Sequence, residues 1–394
     1  MAAPTFQALV GDLRTGKITT RLPLTGVTWQ AVLNGAGSIT GATVNIAAAD
    51  VRPLDVPHAA APAKAFLAIQ YDEALIAGGP IWTHAYNRSS GVATLGATGL
   101  WGLFDHRLVI PVLAEPLALG AVQSGSGDTI YPSGSNLSLG DIAAALVAQA
   151  LAHVGGNLPL VAPAAQGMTP GAARTYYGYE LNQLGPRLVD LTNVVGGPEI
   201  AFRPRIKIND PTSIEWVMLA GTPAQPLLAQ TGSDWIIDAS VPQSMVSDID
   251  VAIDATAMGT RVWEVGSGSQ TGLMLSQANS TTLTSVGYPL LEVQDQHTSV
   301  VDQATLDAYS AAYLTGVSRP AAVWKVKVRN DGAPNAAGSG GPRLSQYQAG
   351  DYVTAIIGDD PYLAPGARRS RILQIDGDLS EESVLTLATL NAEV

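Results

Sequence analysis

The feature that most constrains the fold is a series of short segments in which apolar and polar residues alternate. The N-terminal stretch "TFQALVGDLRTGKITTRLPLTG" alternates on both sides of a turn at residues 14–16, which is typical of a β-hairpin. Similar segments follow, broken by Gly, Pro and Asn: "GATVNIAAAD", "KAFLAIQYDE", "PIWTHAYNRSSGVATLGATG" and "HRLVIPVL". Spacing this short favours a β-barrel or sandwich over βαβ units.

The middle of the chain mixes helices with strands. A Gly/Ser-rich loop is predicted at 120–138, and helices are predicted at 139–153, 182–195 and 302–314. Ser138 and Asp141 are suited to cap the first of these helices. The last part of the chain alternates again in "AAVWKVKVRN", "GDYVTAIIGDD", "RSRILQIDGD" and "ESVLTLATL". The sequence therefore predicts a mainly β protein with an α/β portion between two β regions.

The charge of the chain excludes some classes of partner. The sequence has 33 acidic and 21 basic residues and a formal net charge of -12. This balance argues against specific nucleic-acid binding through phosphate neutralisation and against binding to an anionic membrane. Only 14% of the residues are charged, against about 25% in an average soluble domain. Either partners cover much of the surface, or the genome favours uncharged residues.

Targeting and redox features are sparse. The chain has no cysteine, which excludes disulfides and thiolate metal sites. No signal peptide is evident, and the apolar stretch from Ile142 is too short to span a bilayer. We expect a soluble protein with no membrane insertion of its own.

No motif for metal binding stands out. The five histidines have no helical i,i+3 or i,i+4 pairing: His58, His84, His106, His153 and His297. Asp248, Asp250 and Asp254 share one face of a predicted strand, which is suited to a cation or, more simply, to solvent. The segment "DGDLSEE" lacks a glycine and a terminal glutamate at the spacing of a calcium loop. We expect no metal site, no cofactor and no metal-dependent folding.

No motif for catalysis stands out either. A glycosidase needs two carboxylates about 5–10 Å apart in a cleft, and Asp105, Asp128 and Glu199 are candidates without a supporting pattern. The seven tryptophans lie mostly in alternating apolar segments, which predicts buried anchors rather than a sugar-binding surface. Trp29 is expected to anchor the core of the first β region. The sequence gives no catalytic residue.

Two segments together resemble a known family. The opening "FQALVGDLRTGKITTRLPLTGVTWQAVLNGAGSITGATV" has a DL-x-TG hairpin turn, an LPL-x-G-x-x-W block and a VLNGAG run. It resembles the N-termini of minor tail proteins from actinobacterial siphophages. The late segments "AGDYVTAIIGDD" and "RRSRILQIDGDLSEESVLTLATL" resemble the C-terminal β-domain of the same proteins. These form the baseplate hub, or tail-tip hub, family, related in fold to the hubs of contractile-tailed phages.

The resemblance implies a particular architecture. Each chain would have two tube-like β-barrel domains with a mixed α/β module inserted between them. The first barrel would comprise 1–115, and the second would combine 199–244 with 318–394. The inserted module would comprise 116–198 and 245–317. Three chains would then close a ring with pseudo-sixfold symmetry.

The resemblance also implies a role without chemistry. The protein would be a structural component of the phage tail tip, a homotrimeric hub that closes the tail tube and forms part of the DNA-ejection channel. It would be assembled in the host cytoplasm and located in the virion. Its partners would be the distal tail protein or tail tube, the tape measure protein and other minor tail proteins. The alternatives are a tail-associated cell-wall hydrolase and a host-polysaccharide-binding tail protein.

An acidic chain around a DNA path suggests where its carboxylates lie. We expect several aspartates to line or rim the channel, because an acidic lumen repels phosphates: Asp248, Asp250, Asp254, Asp351, Asp359, Asp360, Asp376 and Asp378. The alternative is that they solvate the outer surface. Arg368, Arg369 and Arg371 are expected to face neighbouring subunits. The loops 120–138 and 331–346 are expected to be ordered mainly by neighbouring chains.

Overall fold

The computed structural model describes residues 6–113, 116–194, 196–230, 234–297, 300–332 and 342–389. These residues divide into two compact units. The first unit is built from the described parts of 1–248 and 326–387, and the second is built from those of 249–325 together with 388 and 389. The chain is mainly β, as the sequence predicts.

The elements of the first part of the chain are mostly strands. The strands up to residue 98 are β1 (Phe6–Asp12), β2 (Ile18–Leu22), β3 (Gly26–Val32), β4 (Ser38–Asn45), β5 (Ala65–Tyr71), β6 (Ala74–Asn87) and β7 (Val92–Thr98). A short helix, α1 (Val56–Ala59), precedes β5, and a 3-10 helix, Leu100–His106, follows β7. Gly16 takes a φ of 73° between β1 and β2, so the predicted hairpin turn is confirmed.

Helices and strands alternate in the middle of the chain. The elements are α2 (Leu119–Gln123), β8 (Thr129–Tyr131), α3 (Leu139–Ala152), β9 (Leu160–Val161), β10 (Arg174–Tyr176), α4 (Leu184–Thr192), β11 (Ile200–Lys207), β12 (Asp210–Ala220) and β13 (Trp235–Asp238). The capping predicted for α3 is confirmed: Ser138 Oγ accepts from the Asp141 N–H at 3.0 Å, and the Asp141 carboxylate accepts from the Ser138 N–H at 2.9 Å. The predicted helix at 182–195 is shorter in the structure.

The remaining elements complete both units. They are β14 (Val246–Asp254), β15 (Arg261–Val265), β16 (Leu275–Asn279), α5 (Thr281–Ser285), β17 (Glu292–Gln296), α6 (Gln303–Val317), β18 (Ala321–Arg329), β19 (Tyr352–Ile357), β20 (Gly366–Gly377) and β21 (Glu382–Thr389). The third predicted helix is confirmed as α6, which Asp302 caps through the Thr305 N–H at 2.8 Å. No helix in the described ranges is both long and apolar enough to cross a membrane.

One large sheet dominates. Its main path runs β14-β18-β21-β20-β3-β4-β7-β6-β5-β1-β2, with β19 pairing both β20 and β13 to give 13 strands. The antiparallel pair β20–β3 joins residues from the two ends of the chain, with Gln374 opposite Val32 and Gly377 opposite Trp29. Over the described residues, the two outer strands of this path do not pair with each other, so no closed barrel is found.

The main core lies in the first unit, between β1, β5, β12 and the helices α3 and α4. Ile214, Trp216 and Met218 alternate along β12, and all three are fully buried. The Trp216 ring packs edge-on to Phe66 at 6.0 Å, and its Nε1 donates to the Gly78 carbonyl at 3.1 Å. Such a ring stabilises the core strongly, because its apolar surface is buried and its one polar group, the indole N–H, keeps a hydrogen bond.

Two expectations about irregular segments are wrong. The stretch 120–138 is more than a loop, because it contains part of α2 and the whole of β8, which pairs with β10. It is held by its own unit: the Asp128 carboxylate accepts from the Gly178 N–H at 2.9 Å, and Thr129 is buried. The segment "HRLVIPVL" forms no strand, and its Val109 N–H instead bonds to the Asn182 carbonyl at 2.8 Å. Most of the loop 331–346 lies outside the described residues.

The second unit has a small sheet of its own, ordered β16-β15-β17, on which α6 packs. Strand β15 runs antiparallel to β16 and parallel to β17. Its sequence, Arg-Val-Trp-Glu-Val, buries Val262 and Glu264 on one face. Leu306 and Ser310 of α6 are buried as well. A carboxylate therefore occupies a position at which the alternation predicts an apolar side chain.

Candidate functional site

An open cleft in the first unit gathers two of the predicted aspartates, Asp376 and Asp378. It has a volume of about 650 Å³ and is lined by residues of β3, β4, β18, β20 and β21. Its charged lining residues are Asp376, Asp378, Glu382 and Lys327. We call this the acidic cleft, because three carboxylates face one ammonium group.

Lys327 organises the charge of the acidic cleft. Its Nζ lies 2.6 Å from Glu382 Oε2. This bond raises the pKa of Lys327, and the charges of Asp248 and Asp378 raise it further. Three of the predicted channel aspartates, Asp248, Asp376 and Asp378, therefore lie around a single lysine, whose charge they outnumber.

The floor of the acidic cleft is rigid. Trp29 is 2% exposed, which confirms its predicted burial, and its Nε1 donates to the Asp378 carbonyl at 3.1 Å. A Cβ on Gly377 would lie 2.2 Å from the Trp29 ring, so only glycine allows this close approach. The Asp376 carboxylate accepts from Gln30 Nε2 at 2.9 Å. The strand pair β20–β3 thus fixes both aspartates relative to the core.

The structure does not bring the other predicted aspartates into the acidic cleft. Asp250 and Asp254 are exposed in the second unit, and hydrogen bonds from the Thr256 hydroxyl and N–H lower the pKa of Asp254. Asp359 and Asp360 are exposed beyond the end of β19, where Asp360 accepts from two backbone N–H groups at 2.8 Å. Asp359 and Asp360 therefore follow the end of a strand, as the pattern of "GDYVTAIIGDD" indicates.

Asp351 belongs to a buried ion cluster at the other end of β19. Glu199 and Arg371, both nearly inaccessible, form its centre, with Arg371 Nε 3.2 Å from Glu199 Oε1. Glu199 Oε2 also accepts from the Leu228 N–H at 2.7 Å. Burial raises the pKa of Asp351, although the Gln348 N–H and the charges of Arg203 and Arg371 act in the opposite direction. We call Glu199, Arg371, Arg203 and Asp351 the Glu199 cluster.

The Glu199 cluster corrects two expectations. Arg371 cannot face a neighbouring subunit, because it is buried against partners of its own chain. Glu199 is bound in an internal ion pair rather than available as a catalytic acid. Arg369 pairs with Asp234 of its own chain and covers the Tyr352 ring at 3.8 Å, and its side chain is half exposed.

The carboxylates considered for a hydrolase do not form a site. Asp128 is bound to the Gly178 N–H, Glu199 lies in the ion cluster, and Asp105 is exposed at the end of the 3-10 helix. Among the described residues, one group of three acidic or histidine side chains places its ligand atoms within 4.8 Å of one another, and it contains none of these carboxylates.

That group lies in the second unit and consists of Glu264, Asp295 and His297. His297 Nε2 is 3.4 Å from Glu264 Oε2 and 3.8 Å from Asp295 Oδ2. The His297 ring stacks on Tyr309 with centroids 4.4 Å apart. Glu264 is 0% exposed, and within the described structure neither of its carboxylate oxygens has a hydrogen-bond partner. Burial raises its pKa, while His297 lowers it.

Sequence reasoning missed this group and one aromatic pair. The signal for Glu264 was a glutamate at an inward position of an alternating strand, and the signal for the others was an Asp-x-His spacing that places both side chains on one face of an extended chain. Tyr177 and Tyr179 are exposed and stack at 5.2 Å.

Comparison with solved structures shows which fold this chain has. No protein-family model and no curated protein matches the chain. Among solved structures, the 43 kDa tail protein of prophage MuSo2 from Shewanella oneidensis is similar over 98% of this chain and 98% of its own, with a TM-score of 0.58 and 10% identity. A tail protein from Neisseria meningitidis MC58 is similar over 98% and 96%, with a TM-score of 0.51 and 14% identity. The chain shares the fold of these tail proteins.

Proposed function

We propose that this protein is a structural component of a phage tail tip, a homotrimeric baseplate hub that closes the tail tube and forms part of the DNA-ejection channel. The observation that carries the proposal is the likeness in fold to two tail proteins over nearly the whole of all three chains. The resemblance of both ends of the sequence to siphophage minor tail proteins supports the same assignment.

The two-barrel architecture is part of this proposal. Strands from both ends of the chain meet at the β20–β3 pair and form one large, branched sheet. We propose that this sheet supplies two tube-like β domains per chain, so that three chains present six such domains to a hexameric tail tube. The distal tail protein or tail tube, the tape measure protein and other minor tail proteins would be the neighbours.

The acidic cleft supports a passage for DNA. Its two aspartates are held by a buried tryptophan and a strand pair, and Glu382 is held by Lys327, which keeps a negative surface in a fixed position. A fixed negative surface repels phosphates and does not retain the genome. We propose that Asp248, Asp376 and Asp378 face the channel, with Asp250, Asp254, Asp359 and Asp360 at its rims. Asp351 is left out, because it belongs to the Glu199 cluster.

The assembly state is the first test. We expect the purified chain to form a species with about three times the monomer mass of 40.7 kDa in mass photometry. Antibody labelling of particles from the same phage genome should mark one end of the tail. A chain that stays monomeric at all concentrations, or a label on the capsid, would contradict the proposal.

The channel is tested by charge. In phage carrying Asp376→Lys and Asp378→Lys, particles should assemble normally, but DNA should leave more slowly in a low-salt ejection assay, since added cations hold phosphates. Asp50→Lys is a matched control, because Asp50 is an exposed aspartate of the same unit outside the proposed channel. Equal ejection rates in both variants would place the acidic cleft on the outer wall and leave the hub assignment intact.

A further inference from the structure

We propose that Glu264, Asp295 and His297 of the second unit form a binding site for one divalent transition-metal ion, with Zn²⁺ the ion that the donor set fits best. The site lies outside the acidic cleft and the Glu199 cluster. It is also independent of the tail role, so either proposal can fail alone.

The backbone holds the three ligands together. Parallel pairing of β15 with β17 sets Glu264 directly opposite Asp295. His297 follows two residues after Asp295, and its N–H bonds to the Val265 carbonyl at 2.7 Å, which fixes it beside the end of β15. Adjacent paired strands are only about 4.8 Å apart. The ligand atoms therefore converge without any loop having to fold around an ion.

The distances fit a tetrahedral ion. An ion with ligand bonds of about 2.0–2.1 Å has donor atoms roughly 3.3–3.4 Å apart. The separation between His297 Nε2 and Glu264 Oε2 is 3.4 Å, and that between Nε2 and Asp295 Oδ2 is 3.8 Å. Both distances are too long for strong hydrogen bonds and suit donors that share a metal. Asp295 and His297 remain partly exposed, which leaves an entry path and room for a water ligand.

The state of Glu264 is the strongest argument. A fully buried carboxylate normally has an arginine, a lysine or several N–H groups as partners, because an uncompensated charge is costly to bury. In the described structure both Glu264 oxygens lack any hydrogen-bond donor. The opposite neighbour on β16, Ser276, directs its hydroxyl to Asp307 instead, at 2.6 Å. A cation between Glu264 and His297 would compensate the charge.

The donor set selects the class of ion. Calcium and magnesium take oxygen ligands almost exclusively, whereas imidazole suits zinc and its neighbours in the first transition series. Two carboxylates with one imidazole give three protein ligands and leave one position for water. The competing explanation is a protonated His297 that pairs with both carboxylates in the absence of metal. The two explanations differ in whether the protein binds zinc.

The test is titration of the EDTA-treated full chain with zinc alone. Calorimetry should show one Zn²⁺ per chain, and Co²⁺ should give the visible absorption bands of a tetrahedral site. Glu264→Gln and His297→Ala should each weaken zinc binding by at least about tenfold, with a smaller loss for the more exposed Asp295→Asn. Zinc should raise the melting temperature of the wild type and not that of Glu264→Gln.

His58→Ala is the matched control. His58 Nδ1 lies 2.9 Å from Asp55 Oδ1 at the surface, so the variant removes a His–Asp pair of similar chemistry elsewhere. Its zinc affinity should equal that of the wild type. Should Glu264→Gln fail to fold, the zinc affinities of His297→Ala and Asp295→Asn still test the site, since both residues are partly exposed. Absence of zinc binding in the wild type, or equal binding in wild type and all three variants, would overturn the proposal.

Discussion

The two units of this protein treat buried carboxylates differently. In the first unit, Glu199 is paired with Arg371, and Asp141 accepts from the backbone N–H groups of Ser138, Gln166 and Gly167 at 2.8–2.9 Å. In the second unit, Glu264 is equally inaccessible, yet the described residues offer it no hydrogen-bond donor. The first unit therefore satisfies its buried carboxylates with hydrogen bonds from within the chain. In the second unit, Glu264 has only the His297 ring nearby, at 3.4 Å.

This difference distinguishes structural from binding groups. A buried acid that the chain compensates joins distant segments, as Glu199 joins the start of β11 to β20 and to Leu228. A buried acid without compensation lowers stability until a proton or a cation neutralises it. Burial alone does not separate the two cases. The partners do.

The largest expected effect is the loss of Arg371. Arg371→Met should lower the free energy of unfolding by about 3–5 kcal/mol, because Glu199 would keep its charge in a buried position without the guanidinium that it is bonded to. Denaturant unfolding with a probe in the first unit measures this. The double variant Glu199→Gln with Arg371→Met should recover most of the loss. A single variant as stable as wild type would show that water already reaches Glu199.

A smaller effect is expected at Asp141. Asp141→Asn should cost about 1–3 kcal/mol at neutral pH, because three backbone N–H groups lose a charged acceptor. Burial by itself would raise the pKa of Asp141, but these hydrogen bonds bring the pKa below its ordinary value. The folded-state pKa is thus depressed, so the stabilisation is present above the unfolded-state pKa and is lost as the pH falls through the folded-state pKa.

Denaturant midpoints measured at several pH values check this sign. The difference between wild type and Asp141→Asn should be largest near neutral pH and should shrink below about pH 4. Ser138→Ala is a useful companion, since it removes the reciprocal cap and leaves the carboxylate. A difference that does not change with pH would mean that the charge of Asp141 contributes nothing.

Glu264 should behave in the opposite way. In EDTA-treated protein, Glu264→Gln should leave the free energy of unfolding unchanged to within about 1 kcal/mol or increase it, because it removes a buried charge that no donor satisfies. Glu199→Gln, the same substitution in the first unit, should be destabilising. Thermal melts of both variants measure the contrast. Equal losses in both would show that Glu264 is compensated within the protein, by His297 for example.

The smallest effect is expected at Arg369. Its pair with Asp234 lies at the surface, where water and salt screen the attraction. Arg369→Ala should shift the melting temperature by little more than the error of the measurement, and added salt should abolish the shift. A loss comparable to that of Arg371→Met would mean that the surface pair and its stacking on Tyr352 matter as much as the buried cluster.

Local patterns allowed much of the secondary structure to be predicted. The cap of α3, the hairpin turn at Gly16 and the strand β19 each depend on residues that are neighbours in sequence. The prediction for the segment 106–113 failed because its two buried apolar residues, Val109 and Ile110, pack into the core without pairing in a sheet. Tertiary packing, which a local pattern does not show, decides this.

The site residues were harder to predict, for the same reason. The sequence allowed Asp376 and Asp378 to be named as candidates, but it did not predict that they lie in one cleft with Lys327. That position depends on the pairing of β20 with β3 and on the order of the neighbouring strands, which no local sequence pattern predicts. Glu199 and Arg371 are 172 residues apart in the sequence. Glu264 and His297 meet across two parallel strands.

The β20–β3 pair also dictates an order of events during synthesis. Strand β3 leaves the ribosome long before β20 exists, so one edge of β3 has no partner until nearly the whole chain has been translated. Exposed strand edges promote aggregation, and late, distant contacts slow folding. The nascent first unit therefore exposes this strand edge until β20 has been synthesised. A polypeptide that is cut short before Gly366 leaves the neighbouring β3 edge permanently open, however well its N-terminal hairpins form.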